Sequence, residues 1–208
     1  MDNKHNDRRI FDLAMHTWLR YALVFLKWLL WAAVIGMALG FISTAFHYSV
    51  DFAQELRLAC PWLLCLLPVG GLIIVFMYRV CGVKDDRGAN AVLEATINGE
   101  PVKKRVAPLI FIGTVLTHLF GGSAGREGAA LQLGGSIAGL FGGVFHIKPG
   151  DGRVLTICGM SAAFSALFGT PVTAAVFAVG VASAGAVQYA ALFPSVVSAF
   201  AGFLVSSA

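Results

Sequence analysis

The residues with the most chemical content are Gly125, Arg126, Glu127 and Gly128. They set a cation beside a carboxylate at the head of an apolar run that reaches residue 145, and another apolar stretch, 106–121, precedes them. A charge at membrane depth costs about 3 kcal/mol even on the mildest insertion scales, so it needs a partner or a task. Adjacent residues on a helix do not face each other, so Arg126 and Glu127 make an awkward pair. An ion pair that closes a helix end, or one at an aqueous rim, is the plain structural alternative. The functional reading starts from the glycines, which allow a non-helical approach to Arg126. A helix that begins there presents unbonded backbone N–H groups and the positive end of its dipole. Such an end binds anions. A carboxylate fixed beside it acts as a tethered anion that fills the site until it is protonated or displaced.

Other polar residues carry weaker signals. His118 lies in the apolar stretch before the motif; it suits a hydrogen-bonded packing role better than a proton relay. Gln132 is one turn into the motif helix, on nearly the same face as Gly128, and either bonds a neighbouring helix or lines a pathway. Ser161 and Ser165 are expected to bond back to their own helix or across it. His16, His47 and His146 sit at predicted membrane interfaces. Cys60, Cys65, Cys81 and Cys158 form no C-x-x-C pair and read as small buried hydrophobes, not as a disulfide or metal framework.

The elements that must position the motif are apolar helices. Hydrophobic residues make up 58% of the chain and charged residues 12%, with mean hydropathy +0.79. A soluble domain carries about 25% charged residues, so the fold class is an all-α integral membrane protein. Residues 1–20 form a polar N-terminal segment and 21–208 the transmembrane part. Residues 21–50 are too long for a cleavable signal and read as a retained, tilted first helix. Asp51–Arg57 reads as a polar link, and 61–80 as the second span. A short segment at 88–99, the run 106–121 and the motif helix to 145 come next. A polar link at 146–153 and helices at 154–168, 171–184 and 187–205 complete the series. Several of these are shorter than a span and broken by Gly or Pro. In lipid, irregular backbone is tolerated only inside protein or along a wet cavity, the pattern of a transport site built from half-helix ends. The 24 glycines also suit close helix packing.

The net charge of +4 reflects topology more than a nucleic-acid partner. Four of the 15 Lys and Arg lie between Lys4 and Arg20, six between Arg79 and Arg105, and one in the first link. The positive-inside rule then predicts a cytoplasmic N-terminus in a cell (inner) membrane.

Residues 122–134, Gly-Ser-Ala-Gly-Arg-Glu-Gly-Ala-Ala-Leu-Gln-Leu-Gly, resemble the G-[KR]-E-G-P signature of the CLC chloride channels and anion–proton antiporters. Phe168-Gly169-Thr170-Pro171-Val172 resembles the family's F-x-[AG]-P-[LI] segment, and the order of the other segments follows the same pattern. The resemblance implies a CLC-like first inverted repeat that carries halide, chloride or fluoride, as part of a channel or in exchange for protons, with Glu127 as the gate. Gly125, Arg126, Gly128 and Ala129 would then flank the anion pathway. The family's G-S-G-I-P turn falls on residues 88–92, where serine and proline are both missing, so Asn90 is a candidate donor or simply a turn residue. Ala129 replaces the family's usual proline, as in the fluoride–proton antiporter branch. The internal proton-transfer glutamate of the chloride exchangers has no counterpart at residues 179–181. Since the family is built from two inverted repeats, the resemblance implies a partner, either a second-repeat half or another copy of the chain, and no cofactor.

Two other classes compete with halide transport. One is a non-transporting truncated or accessory CLC-like subunit. The other is an intramembrane serine protease, suggested by Gly122-Ser123-Ala124-Gly125 with His118 nearby. A serine nucleophile needs a base delivered within hydrogen-bond reach, and no histidine in an apolar helix follows the motif.

Overall fold

The structure, a computed structural model, describes residues 3–83, 88–98, 105–147, 149–182 and 189–208, with side chains from residue 18 onward except at 149 and 150. Helix α1 (Asn3–Ala59) leads through a 3-10 turn (Pro61–Leu66) into α2 (Leu67–Val80). Then follow α3 (Ala89–Asn98), α4 (Val106–Leu119), α5 (Arg126–Val144), α6 (Pro149–Phe168), α7 (Pro171–Val181) and α8 (Tyr189–Ser206). The expected all-α class holds for the described residues. Among the described residues, three helical stretches, Trp18–Ala59, Pro61–Val80 and Tyr189–Ser206, are long and apolar enough to cross a bilayer, and Val106–Leu119 and Pro171–Val181 are shorter apolar helices. The chain is a multi-pass membrane protein.

Two expected boundaries move. The polar link at 51–57 is not a loop, because α1 runs through it for 57 residues in all. It stops only where Pro61 removes a backbone donor and forces Cys60 out of the helical region, to φ −129° and ψ 77°. The same helix passes residue 20 without a break. Helix α6 begins at Pro149, not at residue 154. Proline is suited to the first helical position, and Asp151 favours the positive end of the dipole in the first turn. The expected ends at 99, 184 and 187 lie outside the described residues.

Helix α6 is the centre of the bundle. Every residue from 155 to 163 is buried, and α6 packs against α1, α5, α7 and α8. One apolar cluster joins Ile35, Leu39, Phe46 and Val50 of α1 to Leu133 and Ile137 of α5 and Leu155 of α6. A second joins Val92 of α3 to Leu131 of α5, Ile157 and Met160 of α6, and Val179 of α7. Lipid offers these helices no hydrophobic incentive to associate, so close approach of backbones must supply the contact. Gly36 and Gly40 of α1 meet Ser198 and Gly202 of α8. A methyl group at Gly36 would lie 2.5 Å from the Ser198 carbonyl oxygen, and one at Gly40 would lie 2.9 Å from that of Gly202. Gly134 of α5 and Gly159 of α6 face each other so closely that a methyl group on either would overlap the other's carbonyl.

This seam predicts unequal alanine substitutions. Gly134→Ala should lower stability by about 1–3 kcal/mol through overpacking. Gly152→Ala, where nothing lies within 4 Å, should lose none and can gain up to about 1 kcal/mol from helix propensity. Thermal melts of both variants in detergent measure the difference.

Candidate functional site: the break between α4 and α5

The two helices around the motif are separated by a defined turn. Gly121, at φ +81°, adopts the left-handed conformation that favours glycine. Its N–H donates to the His118 carbonyl at 3.2 Å, and the Gly122 N–H donates to that of Thr117 at 2.8 Å. This paired pattern closes the C-terminus of α4. The chain then extends to Gly125, at φ −71° and ψ 139°, and α5 starts at Arg126. Gly125 offers no side chain, and among the described residues no side-chain hydrogen bond caps α5. The first-turn N–H groups therefore face forward with the positive end of a 19-residue helix.

Arg126 and Glu127 separate at once. The Arg126 Nη2 donates to Asp51 Oδ1 at 2.9 Å, and its Nη1 lies 3.3 Å from His47 Nδ1. His47 Nε2 is in turn 3.3 Å from Asp51 Oδ2. With Nδ1 accepting from the guanidinium and Nε2–H donating to the carboxylate, the three side chains close a ring. His47 and Asp51 sit one turn apart on α1. Sequence reasoning had set His47 at an interface and Asp51 in a link, and so missed both as partners. The signal was present: an arginine in apolar sequence calls for an acid, and Asp51 lies near the end of the longest apolar helix.

Glu127 is exposed, in the first turn of α5. Its Oε2 sits 2.8 Å from the place a Cβ on Gly125 would take. The carboxylate is thus folded back over the start of its own helix, in space that only a glycine at 125 leaves open.

Beside this helix end is a cavity of about 320 Å³. Gly125, Gly128 and Ala129 line it, as do Gln132, Thr114 and Thr117. Gly88 and Ala89, where α3 begins, close it from the other side, and Tyr78 comes from α2. Of the residues singled out in the sequence, Arg126, Glu127 and Asn90 are not in this lining. Arg126 is turned toward α1, and Asn90 is exposed on α3. Gln132 is 1% exposed and takes the lining position that was one of its two readings. Tyr78, Thr114 and Thr117 were missed, since a lone hydroxyl in an apolar helix has no pattern. His118 is buried and donates from Nδ1 to the Thr114 carbonyl at 2.8 Å, on its own helix. Ser161 bonds across to the Ser195 carbonyl at 2.9 Å, whereas Ser165 Oγ has no partner among the described residues.

The family model for the voltage gated chloride channel matches residues 69–208. A "Chloride/fluoride channel protein" from Pseudomonas syringae pv. tomato is 39% identical over 183 residues, covering 88% of this chain and 40% of that protein. An "H(+)/Cl(-) exchange transporter ClcA" from Citrobacter koseri is 30% identical, covering 72% of this chain and 35% of its own. Among solved structures, a CLC-type fluoride/proton antiporter shares the fold at TM-score 0.81 and 34% identity, over 88% of this chain and 47% of that one. A slow cyanobacterial Cl⁻/H⁺ antiporter shares the fold at TM-score 0.70 and 21% identity. The chain belongs to the voltage gated chloride channel family, CLC, a family of channels and transporters and not of proteases. It spans less than half the length of each of these relatives.

The ring around Arg126 predicts energetic coupling. Arg126→Gln and Asp51→Asn should each destabilise the chain, and the double variant should lose about 0.5–2 kcal/mol less than the sum of the two. A double-mutant cycle of thermal melts in detergent measures this. Strict additivity would show that the pair contributes nothing.

Proposed function

We propose that this chain supplies one half of a CLC-type halide transport unit, in which the anion passes the start of α5 and Glu127 is the gate. The observation that carries the reading is the uncapped start of α5, with the Glu127 carboxylate folded back over it beside a cavity. A helix end that binds anions is here covered by the protein's own anion. The halide and the carboxylate compete for the same N–H groups, so protonating Glu127 removes the competitor and opens the path. The Asp51 partner keeps Arg126 from pairing with Glu127, so backbone dipoles rather than a full charge meet the halide. Binding is then weak enough to permit release.

Fluoride or chloride both fit this chemistry. The solved fluoride/proton antiporter at 34% identity and Ala129 in place of the usual proline favour a fluoride-type unit. Proton coupling through a carboxylate on α7 is disfavoured, because Val179 stands at that position, 3% exposed within the apolar cluster. One helix end, equivalent to roughly half a charge, cannot replace the donors that strip an anion of its water. A second repeat is the proposed partner. An antiparallel pair of identical chains requires insertion in both orientations, which the Lys/Arg distribution opposes. That distribution supports a cytoplasmic N-terminus in the cell membrane.

Glu127→Gln removes the competitor and keeps the helix end. In liposomes where the wild type carries halide, the variant should conduct with no dependence on external pH. An unchanged pH profile would make Glu127 structural. A second measurement addresses the half-unit: liposomes holding only the purified 208-residue chain should show no Glu127-dependent halide efflux. Robust efflux, with cysteine labelling showing both orientations, would instead establish a dual-topology dimer.

A further inference from the structure

Threonines that are buried or half-buried in these helices spend their hydroxyls on their own backbone, with one exception among the described residues. Thr44 donates to the Gly40 carbonyl, Thr96 to Val92, Thr117 to Gly113 and Thr156 to Gly152, at 2.6–3.0 Å. This back-bond is the usual arrangement for a threonine within a helix in apolar surroundings. Thr114 of α4 departs from it. The residue is 5% exposed, yet its hydroxyl has no hydrogen-bond partner among the described residues. Nor is its oxygen sealed in packing, as those of Ser43, Ser136, Ser165 and Ser198 are. A hydroxyl on a buried residue that is neither bonded nor sealed faces open space. The open space that Thr114 lines is the cavity beside the start of α5.

The surroundings select the sign of what that hydroxyl meets. Gly125, Gly128 and Ala129 bring the positive end of α5 to the cavity, and Gly88 and Ala89 bring that of α3. Among the described residues no carboxylate lines it. The Thr114 carbonyl is already taken by His118 Nδ1 at 2.8 Å, so the O–H is the group this residue has to offer. At about 320 Å³ the cavity is far larger than the roughly 10–15 Å³ that one water needs, so an ion enters with part of its hydration shell. An O–H donated to a full negative charge is among the shorter and stronger hydrogen bonds. Its strength grows as the ion shrinks, because the charge comes closer. Of the halides, fluoride gains most from it.

We propose that Thr114 is a specificity residue of this cavity, whose hydroxyl donates to a fluoride ion held there and favours it over chloride. The proposal rests on the reading above that the anion passes the start of α5. It does not require passage by the chain alone. An ion that keeps part of its water can bind one half-unit, whereas crossing the membrane needs the second.

The test is halide binding by the purified 208-residue chain in detergent. It is read as the rise in melting temperature when sodium fluoride or sodium chloride replaces sodium isethionate at constant ionic strength. Glu127→Gln, which lacks the competing carboxylate, should show a saturable rise with both salts. In that background Thr114→Val keeps the side-chain shape and removes the hydroxyl. It should raise the half-saturating fluoride concentration about tenfold, and that of chloride about threefold at most. Thr114→Ala should shift the two ions in the same order, and Thr114→Ser should keep the fluoride value. Thr44→Val, which removes a hydroxyl already bonded within α1, should change neither. Melting temperatures in isethionate alone report whether each variant folds. A loss no greater for fluoride than for chloride, or no loss, overturns the role of Thr114 and leaves the transport reading standing. No halide-dependent rise in Glu127→Gln overturns both.

Discussion

A helix that ends and another that begins inside apolar sequence leave backbone groups without helical partners, and this fold is organised by how those groups are met. At the α4 end the donors of Gly121 and Gly122 turn back onto the carbonyls of His118 and Thr117. At the α5 start the N–H groups are left uncapped by any side chain. The asymmetry is informative. The carbonyls of Thr117 and His118 are satisfied within the turn, the donors of α5 are left forward, and among the described residues the carboxylate folded toward them is that of Glu127 in the same turn.

The second organising demand is the arginine that shares that turn. A guanidinium at 126 free to wander would neutralise Glu127 or dominate the field at the helix end. Its bonds to Asp51 and His47 tie α5 to a helix 75 residues earlier in the chain, and they do so through α1 remaining helical past residue 50. The long first helix, the placement of the acid and the freedom of Glu127 are therefore one arrangement. Loss of any of them alters the others.

Much of this was legible in the sequence, for a physical reason. Apolar runs bounded by Gly and Pro have few alternatives in a membrane, so the number and order of helices followed from 61–80, 106–121 and 171–184 with small errors at the ends. The break at 122–125 was legible because charge and glycine coincide there. What was not legible depends on contacts between elements. The run 51–57 looks like a link by polarity, yet Asp51 is spent on Arg126 and the helix continues. Asn90, picked by analogy of position, is exposed, while Gly88 and Ala89 reach the cavity with backbone and a methyl group. Tyr78, Thr114 and Thr117 are brought together only by the packing of α2 on α4.

The Gly134–Gly159 contact has a mechanical consequence. With two backbones touching and no side chain between them, α5 cannot slide or roll on α6 without collision or separation. The two helices form a stiff strut whose front end is the first turn of α5. Displacement at the mouth is left to the torsions of single side chains, which turn over in picoseconds to nanoseconds, and not to shifts of whole helices, which take microseconds or longer. In the transport reading proposed above, Glu127 is a hinged latch on a rigid post.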